Sequence, residues 1–208
     1  MVRALKLSIA PESCWQKAAE NPPRVALVML LSILPLMIAA LAIEGYALTK
    51  YGVTFGEIGR RSVSDNRAIK YEVFYGVASL AVIFLGAGLL KSIGASFDVK
   101  ASYGACLVLI AFGYAPILFS RMLDAVPGIN TWICWAVGAA LSLRIFYHGV
   151  AWWLKPEQTK GFGLFIISSI SVLVLSALVH FASVQVLHGR FLQHLYETQM
   201  QFPLPEVT

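Results

Sequence analysis

Residues Gly161–Leu187 read GFGLFIISSISVLVLSALVHFASVQVL, a run without a single Asp, Glu, Lys or Arg. A helix that crosses a bilayer needs about 20 mainly apolar residues. Four more windows of this kind precede it, Val25–Ile43, Val73–Leu90, Ala101–Ser120 and Ile129–Leu154. These runs are continuous rather than alternating, so they predict helices and not the strands of a barrel. The sequence therefore predicts an all-α integral membrane bundle of five transmembrane helices.

The composition agrees with this prediction. The chain of 208 residues is 58% hydrophobic and 13% charged, whereas soluble domains carry roughly 25% charged residues. This excludes a disordered chain, a coiled coil and an ordinary soluble enzyme, and it fits a single membrane domain over 1–208. The net charge of +5 indicates anchoring to anionic headgroups and not nucleic-acid binding. Cys14, Cys106 and Cys134 share no CxxC spacing, which argues against disulfides and thiolate metal sites.

Two short helices are expected at the membrane surface. Residues 11–20 combine mixed charge with Trp15 and end at Asn21-Pro22-Pro23, which predicts an interfacial helix whose Trp15 dips into the headgroups. A second interfacial helix is expected at about 188–199. The one long linker, Glu44–Glu72, has room for another short helix of this type.

Tryptophans mark both ends of the fourth window. Trp132 and Trp135 stand at its start, Trp152 and Trp153 at its end. The two pairs are separated by roughly 30 Å along a helix, as expected for an aromatic belt with one pair at each interface.

Arg144 is the one full charge inside a window, and His148 follows one turn later on the same face. A charge at this depth normally faces the bundle interior or water. The pair predicts either an intramembrane proton or anion site or a buried arginine that fixes packing. Pro35 and Pro116 predict kinks, and we expect Arg144 to bond backbone oxygens near the kink at Gly113–Pro116. On that hypothesis Arg144→Leu lowers stability in detergent.

Small residues predict close helix–helix packing. The positions concerned are Gly86, Gly88, Gly138, Ser142 and Gly149. His180, His188 and His194 have no Cys, Asp or Glu at metal-ligand spacing, so no metal site is predicted. No catalytic or nucleotide-binding motif is present, and we expect neither an enzyme nor a cofactor.

Several segments resemble bacterial members of the Yip family, the Ypt/Rab-interacting proteins. They are Pro11–Trp15, Glu20–Pro22, Leu34–Leu36, Gly94–Ser102, Arg144–Val150 and Trp153–Pro156. The resemblance implies five spans, a cytosolic N-terminus and a C-terminus on the far side. It adds Tyr147, within the recurring Arg144–Val150 segment, to the candidate intramembrane polar residues, which are Arg144, Tyr147, His148 and Tyr114.

The resemblance also bears on partners. Eukaryotic relatives act in vesicle trafficking and bind Rab-type GTPases, but they carry a long N-terminal region and an Asp-Leu-Tyr-Gly-Pro element. Here 24 residues precede the first window and that element is missing, so GTPase binding is not expected to carry over. Charge does not orient the chain, since eight Lys/Arg would lie on the N-terminal side and seven on the other.

The sequence thus predicts a non-enzymatic membrane scaffold or adaptor, located in the bacterial inner membrane. Its expected partners are membrane lipids and other membrane proteins, a second copy included. Its recognition surface is expected on residues 11–20 and on the linker with Arg60, Arg61 and Arg67. Two alternatives stay open: a small transporter or channel component that uses Arg144 and His148, and a lipid-binding protein that shapes membranes.

Overall fold

The computed structural model describes residues 11–54, 60–61, 63–126 and 128–188. Within these ranges the chain forms a short helix, α1, followed by five long helices, α2 to α6. Their bounds are Pro11–Glu20 (α1), Val25–Tyr51 (α2), Asp65–Ser96 (α3), Tyr103–Ser120 (α4), Thr131–Gly149 (α5) and Gln158–His188 (α6). A 3₁₀ turn, Arg121–Ala125, extends α4, and a π-helical turn, Val150–Leu154, extends α5. The prediction of an all-α bundle with five helices long and apolar enough to span a membrane is confirmed.

The linker between the first two long helices differs from the expectation. Helix α2 continues past Glu44 to Tyr51, and α3 begins at Asp65, seven residues before Glu72. Between them, β1 (Val53–Thr54) and β2 (Arg60–Arg61) pair antiparallel. The described residues of this linker therefore extend two helices and form a short hairpin, and they contain no separate interfacial helix. The helix expected at 188–199 lies outside the described residues, apart from His188.

Helix α4 forms the centre of the bundle. Fourteen of its 18 residues are buried, which agrees with a sequence that is apolar all round. Helix α5 packs against α4, α6 packs against α3, and α1 packs across α5. The two predicted kink positions differ in their surroundings: a π-helical turn, Met29–Ile33, ends two residues before Pro35, whereas Pro116 lies inside α4. The π turn takes up the backbone change that a proline imposes on the preceding residues.

The backbones of α4 and α5 are in close contact at Gly138. A Cβ added there would lie 2.8 Å from the Cα of Ile117 and 3.1 Å from the carbonyl oxygen of Pro116. We expect Gly138→Ala to lower the free energy of unfolding by about 1–3 kcal/mol, because the two backbones must move apart. Reversible unfolding in mixed detergent micelles measures this loss.

Gly88 provides the matched control for Gly138. A Cβ at Gly88 would meet nothing within 4 Å. Gly88→Ala should leave stability unchanged or raise it by up to about 1 kcal/mol, since alanine is the better helix former. Equal effects of the two substitutions would contradict the close approach at Gly138.

Candidate functional site

A buried ion-pair cluster joins α2, α3 and the end of α4. It contains Glu44 from α2, Tyr71 and Glu72 from α3, and Arg121 from the 3₁₀ turn. The Arg121 guanidinium pairs directly with the Glu44 carboxylate, and both side chains are 3% exposed. Arg121 Nη2 donates to the Tyr71 hydroxyl at 3.0 Å, and that hydroxyl donates to Glu44 Oε1 at 2.7 Å. Three consecutive helices are thus held together at one end of the bundle.

Aromatic rings complete the surroundings of Arg121. Its Cζ lies 3.3 Å from the centroid of the Tyr75 ring and 5.3 Å from that of Tyr71. A guanidinium over an aromatic face is attracted by the ring quadrupole, most strongly where water is excluded. The arginine is therefore held by one carboxylate, one hydroxyl and two rings.

Glu72 is less closely paired than the other members of this cluster. Its Oε2 is 3.8 Å from Arg121 Nη2, which is within ion-pair range but too long for a hydrogen bond. In the described part of the chain neither Glu72 oxygen takes a hydrogen bond, and Arg121 Nε and Nη1 make none. One guanidinium thus faces two carboxylates, of which only Glu44 is closely paired.

A second polar chain lies beside the cluster and links α4, α5 and α6. Thr131 Oγ1 donates to Asp124 Oδ2 at 3.1 Å and lies 3.4 Å from His180 Nε2. The His180 ring packs edge-to-face on Trp132, with centroids 4.5 Å apart. A cavity of about 420 Å³ adjoins these groups and is also lined by Glu44. Among the described residues, no group of three His, Cys, Asp or Glu side chains could hold a metal ion.

The candidate polar residues predicted from the sequence lie elsewhere and are not all brought together. Arg144 and Tyr147 are exposed on the outer face of α5, and His148 is partly buried. The Tyr147 ring packs edge-to-face on His148, at 5.3 Å between centroids. Tyr114 is fully buried in α4, where its hydroxyl bonds Ser79 Oγ at 3.3 Å. Within the described chain, Arg144 makes no hydrogen bond to the Gly113–Pro116 backbone.

The five tryptophans divide between the core and the surface. Trp15 is fully buried, and its Nε1 donates to the carbonyl of Ile145 at 3.2 Å, so α1 docks on the bundle and does not place this ring among headgroups. Trp153 Nε1 donates to the carbonyl of Ala105 at 2.8 Å, and Trp135 Nε1 to Ser176 Oγ at 3.3 Å. Trp132 and Trp152 keep about two fifths of their surface exposed (41% and 38%).

Most of the small residues predicted to mediate packing lie between helices. A Cβ at Gly86 would stand 3.3 Å from Ile110 Cγ2 of α4, and one at Gly149 would stand 3.0 Å from the Trp15 ring. Ser142 is fully buried in α5, next to Gly138 on the same face. Gly88 alone of this set meets no neighbouring helix in the described residues.

An exposed ion pair lies at the opposite end of the bundle. Asp98, in the turn after α3, pairs with Lys160 near the start of α6. The hydrogen bond from Lys160 and its positive charge hold the pKa of Asp98 below its ordinary value. Because the folded-state pKa is depressed, the contribution of this pair to stability is present above the unfolded-state pKa of Asp98. That contribution is lost as the pH falls through the folded-state pKa.

We expect the Asp98 carboxyl to titrate below the ordinary aspartate range, as followed by carbon NMR of the protein in micelles. Lys160→Ala should return the midpoint to that range, whereas Lys70→Ala, at the far end of α3, should not move it. Global stability should change little with either variant, since an exposed pair is screened by solvent. If the titration midpoint of Asp98 were the same in the Lys160→Ala protein, the ion pair between Asp98 and Lys160 would be contradicted.

Five long apolar helices with α4 at their centre, and a charge cluster near one end of three of them, define an integral multi-pass membrane protein. The chain matches the Yip1 domain over residues 5–180. It therefore belongs to the Yip1 domain family, as the sequence segments indicated. No curated protein and no solved structure matches it.

Proposed function

We propose that the protein is a non-enzymatic adaptor that binds another membrane protein through the outer face of α5. One observation carries the proposal: Arg144, ten residues or more from either end of α5 with its π turn, is exposed on the outside of the bundle. An arginine near the bilayer centre costs about 2.5–3.5 kcal/mol on insertion scales. A partner helix that offers a carboxylate or a carbonyl oxygen would remove that cost.

Tyr147 and His148 widen this polar face. Tyr147 is 53% exposed and lies one turn from Arg144. Hydroxyl, imidazole and guanidinium groups on one stripe offer several hydrogen bonds to a facing helix. Such bonds favour a specific partner over surrounding lipid.

The transporter alternative receives less support from this geometry. It requires Arg144 and His148 to line a route through the bundle, whereas Arg144 faces outward and α4 fills the centre with buried side chains. A contact between proteins accounts for an exposed charge in α5 more simply.

Affinity purification from native membranes in mild detergent, followed by quantitative mass spectrometry, tests the adaptor proposal. We expect a stoichiometric partner, or a second copy, with the unaltered protein and its loss with Arg144→Leu. Lys91→Leu, which removes an exposed cation from α3, is the matched control and should retain the partner. The melting temperature of the isolated protein should be the same for all three, because Arg144 makes no hydrogen bond or ion pair with the other described residues.

Recovery of the same partners with Arg144→Leu would refute the proposed surface. Recovery of the unaltered protein without any partner, in a monomeric state, would refute the adaptor role itself. Flux measurements in liposomes with the same two proteins would then be the next step.

For location, we propose a bacterial inner membrane with the N-terminus in the cytoplasm. The turn at Asp98 and the α5–α6 connection at Lys155 then lie on the cytoplasmic side, and Asn130 lies on the opposite side. Single cysteines at these three positions, in a chain whose native cysteines are replaced by alanine, should label accordingly with an impermeant thiol reagent. The reverse labelling pattern would overturn the orientation.

A further inference from the structure

A long groove runs between α2 and α3 on the outside of the bundle. It encloses about 720 Å³. Its α3 wall extends from Asp65 to Leu80, which is about 22 Å along the helix axis. Two glycines lie in its floor: a Cβ at Gly45 would stand 3.4 Å from Glu72 Cγ, and one at Gly76 would stand 3.0 Å from Leu41 Cδ1.

The groove changes from polar to apolar along its length. Its polar residues lie toward the ends of α2 and α3 that are joined by the hairpin, namely Tyr46, Thr49, Asp65 and Glu72. The remainder is lined by apolar side chains such as Met37, Val77 and Leu80. The uncharged part of α3 begins at Val73, so Glu72 lies where hydrocarbon meets the headgroup region. A headgroup at one end and an acyl chain at the other match this gradient.

The acidic side chains of the groove indicate which kind of lipid headgroup it would bind. Glu72 is 8% exposed and lines the groove, and neither of its oxygens accepts a hydrogen bond within the described chain. The two carboxyl groups that line the groove, Glu72 and Asp65, lie at its polar end, where the Lys50 ammonium is bonded to the Tyr46 hydroxyl at 2.9 Å. Arg121 already pairs with Glu44, so the cluster holds two carboxyl groups for one guanidinium, and Glu72 is left without a donor. A cationic donor in the groove would stabilise Glu72 as a carboxylate and supply its missing hydrogen bonds.

We propose that this groove binds a phospholipid whose headgroup carries a primary ammonium, with the ammonium on Glu72 and an acyl chain along Val77 and Leu80. A primary ammonium has three N–H donors, whereas the quaternary ammonium of a choline headgroup has none. Ethanolamine lipids are therefore preferred to choline lipids, and lipids with an anionic glycerol headgroup are disfavoured by Glu72 and Asp65. This site is separate from the α5 face that carries the adaptor proposal.

Native mass spectrometry of the full-length protein tests the lipid site. The protein in detergent is mixed with equal amounts of dioleoyl-phosphatidylethanolamine, dioleoyl-phosphatidylcholine and dioleoyl-phosphatidylglycerol, which share their acyl chains. We expect the ethanolamine lipid to occupy the protein about tenfold more than the choline lipid, the ratio that a charge-assisted hydrogen bond provides. Glu72→Gln should reduce that ratio to near one. Asp98→Asn, an acidic residue at the other end of the bundle, should leave it unchanged.

A second variant keeps the test independent of the ion-pair cluster. Val77 is 64% exposed on the groove wall, so Val77→Trp narrows the apolar part without disturbing Arg121 or Glu44. It should lower the occupancy of all three lipids severalfold while preserving their order. Equal binding of ethanolamine and choline lipids to the unaltered protein would overturn the proposal. So would a Glu72→Gln protein that keeps the full preference, the result expected if Glu72 holds a proton and no ligand.

Discussion

Replacing Arg121 by leucine should lower the free energy of unfolding by about 3–5 kcal/mol, the cost of leaving a buried ion pair without one partner. Arg121 and Glu44 are each 3% exposed, and Glu72 lies within 4 Å of the same guanidinium. Arg121→Leu therefore strands two carboxylates and removes the donor to Tyr71. The loss is measured by reversible unfolding in mixed micelles, followed by tryptophan fluorescence.

The double variant Arg121→Leu/Glu44→Gln distinguishes a lost ion pair from lost packing. It should recover part of the stability, because the charge that Arg121→Leu leaves unpaired is then removed. Arg67→Leu, which replaces an exposed arginine near the start of α3, should cost nothing measurable. If Arg121→Leu were as mild as Arg67→Leu, the cluster would not hold these helices together.

Truncating Trp15 to alanine should also cost about 3–5 kcal/mol, as removal of a buried tryptophan does. The ring is fully buried and packs with Phe112 and Trp153, each at 5.9 Å between centroids. Its Nε1 satisfies the carbonyl of Ile145. Trp15→Ala leaves a cavity between α1, α4 and α5, and α1 should detach from the bundle. The rate of amide hydrogen exchange in α1 measures the detachment, and chemical unfolding measures the stability.

Two control variants define what Trp15 contributes. Trp15→Phe keeps most of the ring volume but removes the N–H donor, so it should cost less than the alanine variant. Trp152→Ala, at a position 38% exposed, should change stability little. Unaltered hydrogen exchange in α1 of the Trp15→Ala protein would show that other contacts hold this helix.

The five-helix architecture could be predicted because a bilayer imposes a simple requirement on sequence, a long uncharged run for each span. The same criterion concealed the ion-pair cluster. The uncharged windows stop at Glu44, Glu72 and Arg121, so the sequence criterion places these charges at the boundaries of the spans. In the structure α2 continues through Glu44, α3 continues through Glu72, and the 3₁₀ turn that extends α4 contains Arg121. One signal was available: antiparallel helices place the end of the first window, the start of the second and the end of the third on one side. Two acids and one arginine at those points complement each other.

Arg144 and Trp15 show what the sequence could not provide. The depth of Arg144 follows from its position in the window, but whether it faces inward depends on how α5 rotates about its axis. That rotation depends on contacts between helices, such as that of Gly138 with Ile117 of α4. Trp15 looked interfacial because α1 is short and amphipathic. The space for its ring is provided by Gly149, which is 134 residues away.

The docking of α1 has a consequence for biosynthesis. The groups that receive Trp15 are Phe112, Ile145, Gly149 and Trp153. A ribosome that adds about 5–20 residues per second makes the last of them about 7–28 seconds after Trp15. During that interval α1 lacks the groups that receive Trp15. The docking of α1 therefore requires that α4 and α5 have both been inserted. Nascent chains stopped before Ile145 should keep α1 open to proteases, whereas chains that extend well beyond Trp153 should protect it.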